Sequence, residues 1–131
     1  YRSILEAVAL TMKKHVDDMC DELGVSLDKI IITGGGSNSD LFMQIFADVF
    51  NIPSVRNEVN GAAGLGSAIC VAVAAGVYGS FDEAVANMVR IKDAFQPDPE
   101  KVAFYEKMLP IYTDITKHTD EVLKKSYELF Q

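Results

Sequence analysis

The sequence has few of the residues that most often carry chemistry. Its two cysteines, Cys20 and Cys70, lie far apart and form no CxxC pair or other metal-ligand spacing, and its two histidines, His15 and His118, stand alone. They read as reduced thiols used as small hydrophobes in a cytoplasmic protein, and as histidines on helix surfaces, with no metal centre implied. Basic residues are also scarce. Twelve Lys and Arg face 19 Asp and Glu, a formal charge of −7, and the sequence pI is near 4.7. Such a surface repels phosphate backbones and anionic lipid, which argues against sequence-independent nucleic-acid or membrane binding. A small anion remains open to it, because backbone N–H groups and a helix dipole hold phosphate without basic side chains. No apolar run reaches the roughly 18 residues that span a bilayer. The nearest is Ala62 to Val77, whose Gly and Ala content suits close helix packing better than lipid. The opening Tyr1-Arg2-Ser3-Ile4-Leu5-Glu6 lacks the basic and apolar regions of a signal peptide.

What is present suits one α/β domain. The 131 residues are 49% hydrophobic, enough for a core within a single unit, 1–131. Ile4, Leu5, Val8, Met12, Val16, Met19, Cys20 and Leu23 recur at three- and four-residue steps, the pattern of an amphipathic helix that stops at Gly24. The chain enters that pattern at once and without an initiating Met, so it is expected to be a segment of a longer protein. Lys29-Ile30-Ile31-Ile32-Thr33 follows. Its continuous apolarity predicts a strand covered on both faces and central to its sheet. After Gly34-Gly35-Gly36, the residues Ser37, Asn38, Ser39 and Asp40 offer helix caps, and Leu41, Phe42, Ile45, Phe46, Val49 and Phe50 carry the helical period up to Asn51-Ile52-Pro53. Ser54-Val55-Arg56 reads as a short strand. A second glycine-bearing turn at Asn60-Gly61 leads into a small-residue helix ending near Gly76, whose glycines allow close approach to its backbone. A helix is expected over Phe81 to Ile91 with Ser80 or Asp82 as cap, then a loop over Lys92 to Pro99. A long terminal helical region from Glu100 is expected to bend at Pro110, with its tyrosines used for packing.

The run from Ile30 through the three glycines to Ser39 is the element with chemical content. A strand that delivers glycines to a helix N-terminus exposes backbone N–H groups to an anion with no Cβ in the way. Ser37, Asn38 and Ser39 are donors for phosphate, ribose or an adenine edge, and equally ordinary helix caps. The P-loop pattern GxxxxGK[ST] fails, because no lysine follows. The dinucleotide pattern GxGxxG fails at its third position, where Ser39 stands; Gly61, Gly64 and Gly66 miss it as well.

The whole string Ile31-Ile32-Thr33-Gly34-Gly35-Gly36-Ser37-Asn38-Ser39-Asp40-Leu41-Phe42-Met43-Gln44-Ile45-Phe46-Ala47-Asp48-Val49-Phe50, with Ile52-Pro53-Ser54-Val55-Arg56 after it, resembles the adenosine-binding segment of FGGY-family carbohydrate kinases. Gly64-Leu65-Gly66-Ser67-Ala68-Ile69-Cys70-Val71-Ala72-Val73-Ala74-Ala75-Gly76-Val77-Tyr78 resembles the small-residue helix that follows there. The resemblance implies a partial ribonuclease-H-like domain of the actin, hexokinase and Hsp70-like ATPase superfamily, helix-rich with a short central sheet. It implies that the chain is the C-terminal nucleotide-binding portion of a two-domain kinase that moves a phosphoryl group from ATP to a sugar or polyol hydroxyl.

By the same resemblance, Gly35 and Gly36 bring N–H groups to the α-phosphate or ribose, Ser39 meets the adenine nucleotide, and Gly34, Ser37 and Asn38 shape the rest of the wall. Gln44 and Asp48 hold the turn against the sheet. Phe42 stands where many members have Trp, and Asn60 where Glu is common. ATP or ADP is the expected ligand, with Mg2+ in the full-length enzyme but no ligand for it identifiable here. The sugar or polyol would be bound mainly by an N-terminal domain. No DxGT-like phosphate loop and no candidate base is found, and the acidic cluster Asp17, Asp18, Asp21 and Glu22 reads as a solvated helix face, so no catalytic residue is assigned. The alternatives are a non-catalytic nucleotide-binding module and a regulatory ATPase of the same superfamily. A homodimer is left open.

Overall fold

The computed structural model describes residues 1–130. Five α-helices and three strands follow in the order α1 (Arg2–Leu23), β1 (Ile30–Ile32), α2 (Asp40–Phe50), β2 (Ser54–Asn57), α3 (Ala62–Ala74), α4 (Phe81–Met88), β3 (Ile91–Phe95) and α5 (Pro99–Glu128). The helix-rich α/β expectation holds. Helix α1 ends where Gly24 takes a left-handed conformation, φ 64°, and returns its N–H to the Cys20 carbonyl. Ser39 caps α2, Ser80 caps α4 and Asp98 caps α5, where Pro99 occupies a first-turn position that needs no N–H.

Helix α2 is the centre of the molecule. Met43, Ile45, Phe46, Ala47, Asp48, Val49 and Phe50 are buried, because α1, α5 and the sheet all pack on it. The core joins Ala9 and Leu10 of α1, Ile32 of β1 and Tyr105 of α5 to the α2 residues, with Phe46 and Phe50 stacked 5.7 Å apart. Two polar ties fix α1 to α5. Glu6 accepts hydrogen bonds from Arg2 and from the Tyr105 hydroxyl, both at 2.8 Å, and the Thr11 and Tyr112 hydroxyls meet at 2.8 Å. Helices α3 and α4 pack on each other.

Several expectations need correction. The sheet order is β1-β2-β3, with β1–β2 parallel and β2–β3 antiparallel, so β2 is the central strand and β1 an edge. Ile32 is buried while Ile31 is 52% exposed, so β1 is covered on one face only. Helix α4 stops at Met88, and Ile91 to Phe95, expected as a helix end and a loop, form β3. On α1 the buried strip is Leu5, Ala9, Leu10 and Val16; Ile4, Val8, Met12, Met19 and Leu23 form an exposed strip beside it. The terminal helical region is one helix, α5, with Pro110 inside it. His15 and His118 lie on helix surfaces as expected, whereas Cys70 is exposed and packs into no core. Among the described residues no helix is long and apolar enough to cross a membrane.

Candidate functional site

The glycine turn leaves the end of β1 and enters α2, and its three glycines answer to three different constraints. Gly34 has φ 84° and ψ −170°, a conformation open mainly to glycine. A Cβ on Gly36 would lie 2.8 Å from Cε1 of Phe42, so that residue is glycine to admit an aromatic ring. A Cβ on Gly35 would meet nothing within 4 Å. Gly35 to Asn38 form a single 3₁₀ turn. Its first bonds run from Ser37 N–H to the Gly34 carbonyl, 3.2 Å, and from Ser39 N–H to the Gly36 carbonyl, 3.0 Å. The N–H groups of Gly35 and Gly36 precede those bonds and have no acceptor inside the turn. Both residues are exposed.

The side chains of the turn divide sharply. Ser37 is fully buried, and its hydroxyl donates to the Gly34 carbonyl at 2.7 Å. It shapes the turn from behind and is not free to donate to a ligand, contrary to its reading as a donor. Asn38 is exposed. Ser39 is half-buried; its oxygen accepts the Phe42 N–H at 3.3 Å as the cap of α2, which leaves its O–H available as a donor. Capping and ligand contact are therefore compatible at Ser39.

Two residues outside the string hold the turn in place. Asn60 accepts the Gly34 N–H on its carbonyl and donates its side-chain amide to the Asn38 side-chain oxygen, each at 2.8 Å. The two glycine-bearing turns are thus joined. Arg56, on the central strand and 6% exposed, donates to the Ser37 carbonyl at 2.8 Å, pairs with Asp40 at 3.0 Å and grips Asp93 of β3 through Nε and Nη2. Its guanidinium lies over the Phe95 ring. Arg56 and Asp93 are directly opposed in the β2–β3 register. The Arg56 hydrogen bonds hold the Asp93 carboxyl below the usual carboxylate range, and Asp93 in turn raises the guanidinium further above its already high value. An arginine buried in a strand needs such partners, since buried charges require pairing.

Gln44 and Asp48 are structural, but not at the glycine turn. The Gln44 amide donates to Asp48 and to the Gln96 carbonyl, and Asp48 accepts the Asp98 N–H at 2.9 Å, so the pair secures the connection between β3 and α5. Asp17 and Asp18 pair with Lys13 and Lys14 on the α1 surface. Among the described residues no three His, Cys, Asp or Glu side chains converge as a metal site. Two hollows of the surface lie away from the turn. One is between α1 and the end of α2, lined by Lys13, Asp17, Cys20 and Phe50, and another lies along Ile4, Val8, Met12 and Tyr112. The glycine turn is an open wall.

The model of the C-terminal domain of the FGGY family of carbohydrate kinases matches residues 1–75. The chain is 58% identical over 130 residues to an uncharacterized sugar kinase, YgcE, of Escherichia coli (strain K12), covering 98% of this chain and 26% of that protein. It is 30% identical over 122 residues to a xylulose kinase of Lactococcus lactis, covering 92% and 24%. A ligand-bound xylulose kinase structure from Lactobacillus acidophilus superposes with a TM-score of 0.81 at 22% identity, over 98% of this chain and 25% of that one. At that identity the likeness establishes the fold. The chain spans about a quarter of the length of these relatives.

Proposed function

This chain belongs to the FGGY family of carbohydrate kinases, and we propose that it is the C-terminal, adenine-nucleotide-binding portion of an ATP-dependent sugar or polyol kinase. The observation that carries the reading is the exposed pair of N–H groups at Gly35 and Gly36, without acceptors of their own and beside the free hydroxyl donor of Ser39.

The wall fits a nucleotide phosphate. Two unpaired backbone donors at the entrance of a buried helix favour negative charge, and the open space at Gly35 lets a phosphate or ribose reach them. In this reading Gly35 and Gly36 hold the α-phosphate or ribose, Ser39 donates to the adenine nucleotide, and Gly34 and Asn38 complete the surface. Ser37 contributes by locking the turn. ATP supplies the transferred phosphoryl group, while this chain binds and orients the adenosine end. The acceptor hydroxyl, its base and any Mg2+ ligands are assigned to a part of the kinase outside these residues, and the chain alone is inactive as a kinase. The relatives, a sugar kinase and a xylulose kinase, support a sugar or polyol acceptor.

The test is phosphorylation by the full-length protein across a panel of pentoses, hexoses, ketoses and polyols. Sugar-dependent ADP release is expected with at least one of them. ATP hydrolysis indifferent to every sugar would favour a regulatory ATPase module instead. For the chain alone, calorimetry should show ADP binding at least about tenfold weaker than in the full-length protein, equivalent to about 1.4 kcal/mol.

A further inference from the structure

We propose that Arg56 is a positioning residue for the nucleotide, acting through the Ser37 carbonyl; the inference rests on the reading of the glycine turn as a nucleotide wall. The donors of Arg56 are committed. Nε and Nη2 go to Asp93, and Nη1 reaches both the Ser37 carbonyl and Asp40. Two carboxylates more than offset its charge, so Arg56 adds no positive potential for a phosphate to find. What it supplies is geometry.

Ser37 is fixed on three sides. Its N–H and hydroxyl both bond the Gly34 carbonyl, and its own carbonyl takes the Arg56 donor. That last bond sets the plane of the peptide entering Asn38. Arg56 also pairs with Asp40, the first residue of α2. The bracket therefore closes around Asn38 and Ser39, and it joins the turn to the central strand and to β3. Without it, Ser37 would carry a buried carbonyl with no partner, and the turn would relax to find one. The N–H groups of Gly35 and Gly36 and the hydroxyl of Ser39 would then lose their common alignment. Lysine cannot replace the fork, since one ammonium does not span Asp93 and the Ser37 carbonyl together.

A purely structural ion pair predicts a different pattern, and two variants of the full-length protein separate them. In R56K the lone ammonium is expected to stay with the carboxylates of Asp93 and Asp40 and to release the Ser37 carbonyl. In D93N the Arg56 bond to Ser37 is kept while the strand pair is weakened. Calorimetry with ADP and thermal melts are run on both, with kcat at saturating ATP. The expected result is an ADP Kd raised about tenfold in R56K, with kcat changed far less, and an unchanged Kd in D93N despite a lower Tm. Equal Kd values in R56K and wild type overturn the proposal. So does a Kd rise in D93N matching that in R56K, because affinity would then follow stability alone. If R56K folds poorly, the rise in Tm caused by ADP is compared between R56Q and D93N; equal rises count against Arg56. Wild type that binds no ADP would instead sink the nucleotide reading beneath the proposal.

Discussion

An alanine at Gly36 would set its methyl 2.8 Å from the edge of the Phe42 ring, which is itself held 4.7 Å from Phe46. The half-buried ring must shift for the methyl to fit, so Gly36→Ala should cost about 1–3 kcal/mol, the usual range for overpacking. At Gly35 the same methyl enters open space. Gly35→Ala should therefore leave stability within about 0.5 kcal/mol of wild type and still weaken ADP binding, because the methyl stands in front of the wall. Thermal melts and calorimetry on the two variants check the contrast, and equal ADP affinity in Gly35→Ala and wild type would remove Gly35 from the site. Asp48 offers a third test of this kind. It is a buried carboxylate that accepts from Gln44 and from the Asp98 N–H, and its replacement by Ala leaves that N–H unpaired. A loss of about 1–3 kcal/mol is expected, with hydrogen exchange rising at the Asp98 N–H and not at the glycine turn.

The pairing of elements carries the pH dependence. Asp93 joins β3 to β2, and its carboxyl is held low first by hydrogen bonds from Arg56; Glu6 joins α1 to α5, held low first by Arg2. A carboxyl with a depressed folded pKa contributes stability that is present above its unfolded value, near 4, and lost as pH falls through the folded value. Tyr105 runs the other way. Burial, the largest cause, pushes its phenol up, so its contribution is present below its unfolded value, near 10, and lost as pH rises through the folded one. Melting temperature should thus fall in acid below about pH 4 and in alkali above about pH 10. Asp93→Asn should flatten the acid limb and Tyr105→Phe the alkaline one. An acid limb unaltered in both Asp93→Asn and Glu6→Gln would disprove the assignment.

The same pairs show what a sequence conceals at this scale. Helices α1, α2 and α5 were legible because their apolar periods run over many residues. Strand β3 was not, because Ile91-Lys92-Asp93-Ala94-Phe95 carries two charges in five residues, and Asp93 makes sense in a strand only once Arg56 lies opposite. The triple isoleucine of β1 suggested a central strand, whereas Ser54-Val55-Arg56-Asn57 holds that place with a buried serine and arginine, each satisfied by a distant carbonyl. At the site, the glycine turn itself was readable from the residues. Its supports, Arg56 and Asn60, lie 19 and 22 residues beyond the groups they bond, and no local pattern reports such a contact.

Over the whole molecule the apolar surface is unevenly distributed. The α1 strip of Ile4, Val8, Met12, Met19 and Leu23 is exposed, and part of it borders a hollow closed by Tyr112 of α5. Ile31 on β1 and Val71 on α3 are exposed as well. Large contiguous apolar patches are uncommon on monomers and drive association in water. In the proposed full-length kinase these faces are available to the rest of the enzyme; in the chain alone they meet solvent. The isolated chain should therefore associate as its concentration rises, seen as a shift to larger species by sedimentation velocity across a dilution series. Replacing Ile4 and Val8 by Lys and Glu should suppress that shift with little loss of stability, since both side chains are already exposed. A chain that stays monomeric throughout would show that the strip is too narrow to recruit a partner. Association that survives the double substitution would move the contact to α3 or the β1 edge.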